Sequence, residues 1–211
     1  MFRFYQNYYL LINEIDRGQI NEIFGETITI LATEERNISQ TILSKSGRKF
    51  SLPKNLCLIA TMSLSGQEKL LSDPILNSIF SIIELQPETK LLEKLKLVKK
   101  EQEFSPLNLE ELLQTINTKI ADLAGREKLI GHCYFLDLKT LEEFYQLWYF
   151  RLLPWLKSNW GGNPEQLFFI AGKKFFNSDL SLNFLNYRTP GLSEFEVAIK
   201  EISNLRAPKK I

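Results

Sequence analysis

Short unbroken apolar runs dominate the first 87 residues, and beyond residue 108 the apolar positions recur at helical spacing. The run Tyr8–Ile12 (YYLLI), bounded by Asn7 and Asn13, has no alternation and reads as a strand covered on both faces. "NLCLIATM", Asn55–Met62, reads as a second such strand, and "IFSIIEL", Ile79–Leu85, as a third, closed by Pro87. Past Gly18, residues Ile20, Ile23, Phe24, Ile28 and Leu31 fall on one helical face with Glu22 and Glu26 opposite, which predicts one amphipathic helix. The Ser-Gly step in "SKSGRKFSLP" signals a hairpin.

Two later helices are written with their caps. Asn108 and Glu111 precede Leu109, Leu112, Leu113, Ile116, Ile120 and Leu123, and Gly125 stops the pattern. Thr140 and Glu143 open a second helix through Leu141, Phe144, Leu147, Trp148 and Leu152, which Pro154 should kink or end. Strands first and helices afterwards predict an α/β layer over residues 1–88 and a helical subdomain over 89–176. A C-terminal extension, 177–211, follows and frays at "RAPKKI".

Composition narrows the functional classes. Hydrophobic residues make up 44% of the chain, enough for a packed core. Twenty-six basic and 25 acidic residues give a net charge of +1, too even for a surface that grips long nucleic acid by itself. The lysine-rich "TKLLEKLKLVKK" reads as a helix with a solvated lysine face. Cys57 and Cys133 lie in apolar runs and read as reduced core thiols, and with only His132 beside them no zinc-ligand spacing can be assembled. In "IGHCYFLD", His132 reads as a structural hydrogen-bonding residue, Gly131 as a tight turn, and "CYFLDL" as strand-like. The aromatic start lacks the parts of a signal peptide and no run reaches a membrane span, so the expected location is the cytoplasm.

Chemistry is concentrated where the first strand ends. Asn13-Glu14 follows it directly, then Asp16-Arg17-Gly18, which is where many nucleotide hydrolases present metal-side acids. Taken in order, "LLINEIDRGQINEIFGETITIL", "SGRKFSLPKNLCLIATM", "FSIIELQPE" and "GREKLIGHCYFLD" resemble the AAA+ module of the McrB family, from about Tyr8 to about Phe176. That family supplies the GTP-hydrolysing subunit of methylcytosine-dependent restriction systems. The resemblance implies the parallel sheet of a P-loop NTPase, incomplete here, followed by a helical lid.

It also implies roles for individual residues. The family's opening strand is Walker B and ends in Asp-Glu, the Asp holding Mg²⁺ through its water shell and the Glu activating the attacking water. Glu14 matches the Glu, whereas Asn13 stands at the Asp position, an uncharged isostere that leaves an indirect, degenerate Mg²⁺ position. Ser63 occupies the sensor-like position where the family has a water-positioning Asn, and Gln67 replaces an arginine. Asn77, Ser78 and Ile79 replace an arginine cluster of the kind worth ~10³–10⁵ in rate.

No segment of the 211 residues has the Gly-x-x-x-x-Gly-Lys-Ser/Thr spacing of a phosphate loop. The family's central strand, between those matching Asn55–Thr61 and Ile79–Leu85, is also missing. GTP or ATP and Mg²⁺ are thus cofactors by resemblance, and the chain alone is expected not to turn them over. Implied partners are an upstream NTPase fragment carrying the phosphate loop, or a homo-oligomer ring, together with an McrC-like nuclease, with DNA reached only through partners. The alternative is a non-hydrolysing scaffold or interaction subunit.

Overall fold

The structure, a computed structural model, describes residues 6–25, 27–32, 42–43, 49–50, 52–53, 55–99, 103–189 and 192–204. The chain divides into two compact units, Met1–Glu84 and Leu85–Ile211.

In the first unit, β1 (Tyr8–Ile12) pairs in parallel with β4 (Leu56–Ala60), from Tyr8 opposite Leu56 to Ile12 opposite Ala60. Both strands fall on the predicted runs. Their surroundings do not: Tyr8, Tyr9, Leu10 and Leu11 are all exposed, so β1 is not covered on both faces. Two short antiparallel pieces, β2 (Ile42–Leu43) and β3 (Lys49–Phe50), flank the predicted hairpin turn, whose residues 44–48 lie outside the described ones. The single helix expected after Gly18 is two, α1 (Ile20–Phe24) and α2 (Thr27–Ala32), parted at Gly25 with φ 51°.

The third predicted strand is absent. Following α3 (Leu64–Leu71), Asp73 caps α4 (Pro74–Ile79) by accepting from the N–H groups of Ile75 and Leu76 at 2.9 and 3.1 Å. Residues 80–88 then run without any ladder. An apolar run becomes a strand only where a neighbour takes up its backbone groups, and among the described residues the strand that β4 pairs with is β1. The core of this unit is correspondingly small, centred on Ile15, Ile20 and Leu76.

The second unit is helical and well filled. Asn108 caps α5 (Leu109–Ala124), accepting from the Glu111 N–H at 3.2 Å, and Gly125 follows it with φ 74°. Thr140 and Glu143 close a reciprocal capping box on α6 (Leu141–Leu147). Pro154 neither ends nor breaks the path. A π turn, Trp148–Leu152, widens the helix just before it, with the Leu153 N–H bonding to Trp148 O, and α7 (Leu153–Trp160) takes Pro154 into its first turn. Asn163 then caps α8 (Pro164–Ala171).

The lysine-rich stretch is not the expected helix. Only Thr89–Leu92 forms a 3-10 turn, after which Leu97 is buried and Val98 bridges both Phe104 and Thr140. Lys90, Lys94 and Lys96 are solvated, but Lys99 pairs at 2.7 Å with the fully buried Glu196. "CYFLDL" is likewise no strand. His132–Tyr134 is a 3-10 turn that drops Phe135 into the core, while Gly131 keeps an ordinary φ of −70°. His132 Nδ1 accepts the Glu88 N–H at 3.0 Å, a structural bond of the expected kind.

Residues beyond 176 belong to the same core. Tyr149 donates to Asn183 O at 2.7 Å and accepts from the Leu185 N–H at 2.9 Å. Helix α9 (Glu194–Glu201) buries Phe195, Ala198 and Ile199, with the Phe195 ring against Phe144 and Phe175, and the turn Ile202–Asn204 that follows packs on α5. Lys119, on α5, reaches inward to the carbonyls of Phe169 (2.9 Å) and Ile202 with its ammonium over the Phe169 ring. The terminal "RAPKKI" lies outside the described residues. Among the described residues no helix is long and apolar enough to cross a membrane.

Candidate functional site

Parallel pairing brings the carboxyl ends of β1 and β4 side by side, the end of an α/β sheet where ligands are met. The ladder continues one step past the strands, with Thr61 N–H bonding to Ile12 O and Ile15 N–H to Thr61 O, both at 2.9 Å. Between these bonds the chain turns sharply, and Glu14 sits at φ 53°, ψ 52°, a left-handed conformation unusual for a side-chain-bearing residue.

Thr61 holds this turn from the neighbouring strand. Its hydroxyl donates to Asn13 Oδ1 at 2.6 Å and accepts the Glu14 N–H at 2.9 Å. The Glu14 carboxylate lies outward and pairs with Arg17 at 2.9 Å. Asn13, Glu14 and Thr61 are thus brought together, as the sequence suggests for the first two.

Ser63 is turned elsewhere. Its hydroxyl donates to Asp16 Oδ2 at 2.5 Å and accepts the Gly66 N–H at 3.1 Å, which makes it the cap of α3 rather than a partner of Asn13 or Glu14. The Ser63 N–H also faces Asp16 Oδ2 at 3.4 Å. The Ser63 hydroxyl bond holds the Asp16 carboxyl below the ordinary aspartate range, against a smaller upward push from burial. Asp16 Oδ1 is buried with no hydrogen-bond partner. Gly66 makes the approach possible, since a Cβ there would come within 2.5 Å of Asp16. The sequence groups Asp16 with the acids that follow the first strand and gives Thr61 no role beyond its strand run. The available signal was that both are short polar residues at the ends of adjoining strand runs.

The donor set does not fit a hard divalent cation. It offers one neutral amide oxygen already bonded to Thr61, one carboxylate paired with Arg17, and the Asp16 carboxylate turned to Ser63. No group of three His, Cys, Asp or Glu side chains among the described residues could hold a metal. The arrangement clamps two strand ends and presents Glu14 to solvent.

Comparison with known proteins locates the relationship. A family model described as "McrB, alpha-helical lid domain" matches residues 108–167, the segment from the α5 cap into α8. The Type IV methyl-directed restriction enzyme EcoKMcrB subunit of Escherichia coli (strain K12) is 27% identical over 142 residues, covering 62% of this chain and 30% of the relative. The chain therefore spans less than a third of the length of the curated relative it matches.

Proposed function

We propose, from the premise that this chain is an McrB-family protein carrying that family's helical lid, that it is the lid-bearing part of an McrB-like NTPase of a modification-dependent DNA restriction system and does not hydrolyse nucleotide by itself. The observation that carries this reading is the bond from Thr61 to Asn13. A neutral amide, already hydrogen-bonded, occupies the position from which the resemblance would have an acid reach Mg²⁺. Ser63, committed to Asp16 and to the cap of α3, does not present its hydroxyl as a water-positioning group. Glu14 retains the chemistry of a general base, but that chemistry needs a polarised phosphoryl group opposite it. GTP or ATP, Mg²⁺ and an McrC-like nuclease belong to this reading as properties of the assembly.

The test is phosphate release by the purified chain with Mg²⁺ and GTP or ATP. No turnover above blank is expected, and Asn13→Asp should not create any. Turnover that vanishes in Glu14→Gln would overturn the reading. A second reading, a non-hydrolysing scaffold subunit, is favoured by the lid unit, whose core is filled by its own side chains from Leu92 to Ile202. It predicts a partner complex whose formation is indifferent to GTP and ATP.

A further inference from the structure

The π turn opens a cleft that lies wholly within the second unit. By widening the helix it keeps Trp148, Tyr149 and Leu152 in the core while Phe150 and Arg151 face outward. Together with Tyr134 and Trp155, these two border a cavity of about 600 Å³ floored by Ile130 and Leu152. The aromatic rim is braced. Phe150 packs on Phe184, which stacks on Tyr149 with 4.7 Å between ring centroids, and Trp155 and Trp160 meet edge to face at 5.7 Å. Rings already held in place lose little freedom when a ligand covers them.

The cleft carries one charge, and it is unmatched. Among the described residues no carboxylate lines the cavity and Arg151 has no ion-pair partner. An occupant must therefore bring an acid for the guanidinium and an apolar group for the floor. Phe150 is 65% exposed and Tyr134 49%, so the rim stands open, whereas a cofactor site encloses its ligand and aims several polar groups at it. A single guanidinium is also too little positive charge for a nucleic-acid groove, which tracks several phosphates. Neither end of the chain is complementary: residues 1–5 carry Arg3, and residues 205–211 carry Arg206, Lys209 and Lys210.

We propose that this cleft docks an acidic, apolar segment of another protein. One large apolar side chain of that segment sits on Ile130 and Leu152 between the Phe150 and Trp155 rings, and a neighbouring carboxylate meets Arg151. Aromatic rings and an arginine around an apolar floor are the composition of a protein hot spot. The contact needs neither nucleotide nor Mg²⁺, so it stands or falls separately from the hydrolysis reading.

Fluorescence anisotropy of labelled peptides titrated with the full chain tests this. The probes are short peptides in which glutamates flank leucine, isoleucine, phenylalanine or tryptophan. Their controls carry lysine in place of glutamate, or serine in place of the apolar residue. At least one acidic apolar peptide should bind, with its two controls weaker by about tenfold or more. Arg151→Glu should weaken that peptide about tenfold and strengthen its lysine control, whereas Phe150→Ser should weaken it without changing the preference for acid. Arg151→Gln replaces Arg151→Glu if a melting curve shows that the latter does not fold, with loss of the preference for acid as its readout. No binding of any acidic apolar peptide below about 1 mM, equal binding of the lysine controls, or binding indifferent to the Arg151 substitution overturns the proposal. So does an oligothymidylate that binds more tightly than every peptide and is lost in Arg151→Glu, or a self-association that Phe150→Ser abolishes, which would give the cleft to a second copy.

Discussion

Asp16 Oδ2 and Ser63 Oγ lie 2.5 Å apart, across 47 residues of chain, and join the turn after β1 to the first turn of α3. The hydroxyl is the largest influence holding the Asp16 carboxyl low, so the bond favours the folded state only while that carboxyl is ionised. The folded value lies below the unfolded one. The stabilisation is therefore complete above the ordinary aspartate range and is lost as pH falls through the lowered value. Ser63→Ala should lower the melting temperature of the first unit at neutral pH and flatten its acid dependence. An unchanged melting profile would show that the bond holds nothing in place.

Gly66→Ala isolates the same contact from the other side. A Cβ at Gly66 would lie 2.5 Å from the Asp16 carboxylate, so the clamp must open for the methyl group to fit. Gly66→Ala should therefore reproduce the Ser63→Ala phenotype, and the double variant should be little worse than either single one. Additive losses measured in that double-mutant cycle would mean that the two residues act independently.

Glu196 is a fully buried polar anchor of the second unit. Burial pushes its carboxyl up, but bonds from Lys99, Ser105 and Ser193 outweigh that and leave it below the ordinary glutamate range. Glu196→Ala removes the carboxylate that Lys99, Ser105 and Ser193 share and should clearly destabilise the second unit. With the folded value below the unfolded one, wild-type stability should fall as pH drops through the lowered value, and Glu196→Gln should lose that part of the acid dependence. Denaturant titrations at neutral and acidic pH measure both effects.

Much of the second unit was legible because its signals are local. Asn108, Thr140 and Gly125 mark helix ends through bonds to residues within four positions, so no distant partner has to be known. What misled is non-local. "IFSIIEL" has the apolar, β-branched make-up of a strand yet forms no ladder, and Leu92 and Leu97 of "TKLLEKLKLVKK" reach the core from a mostly irregular path. At the candidate site, Asn13 and Glu14 stood out as a deviant acidic pair. The positions of Thr61 and Ser63 depend on which strands pair, which spacing cannot reveal.

Lys119 gives the second unit a distinct alkaline signature. Burial lowers its ammonium from 10.5 to about 8, a difference on the order of 3 kcal/mol against the charged form. Between about pH 8 and 10.5 the unfolded chain holds a proton that the folded chain has released, so stability should rise with pH across that window. Lys119→Met should abolish the rise, whatever its effect at pH 7 from leaving the Phe169 and Ile202 carbonyls without their donor. A slope that persists in the variant assigns the titration to another group.

The sheet of the first unit should behave unlike the helices of the second. Parallel strands are ordinarily buried on both faces, yet Tyr9 and Leu11 point one way, Tyr8 and Leu10 the other, and all four are exposed, Leu11 at 72%. Among the described residues this sheet has two strands, and so small a sheet opens locally at little cost. Amides of β1 and β4 should exchange with solvent far faster than those of α5 and α7, and unfolding of the whole chain should show two transitions rather than one. Leu11→Lys discriminates further. On an open face it should shift stability by no more than about 0.5 kcal/mol and improve solubility, whereas beneath a covering layer a lysine would cost several times that. Slow exchange in β1 together with a strongly destabilised Leu11→Lys would mean that the sheet is covered in the isolated chain.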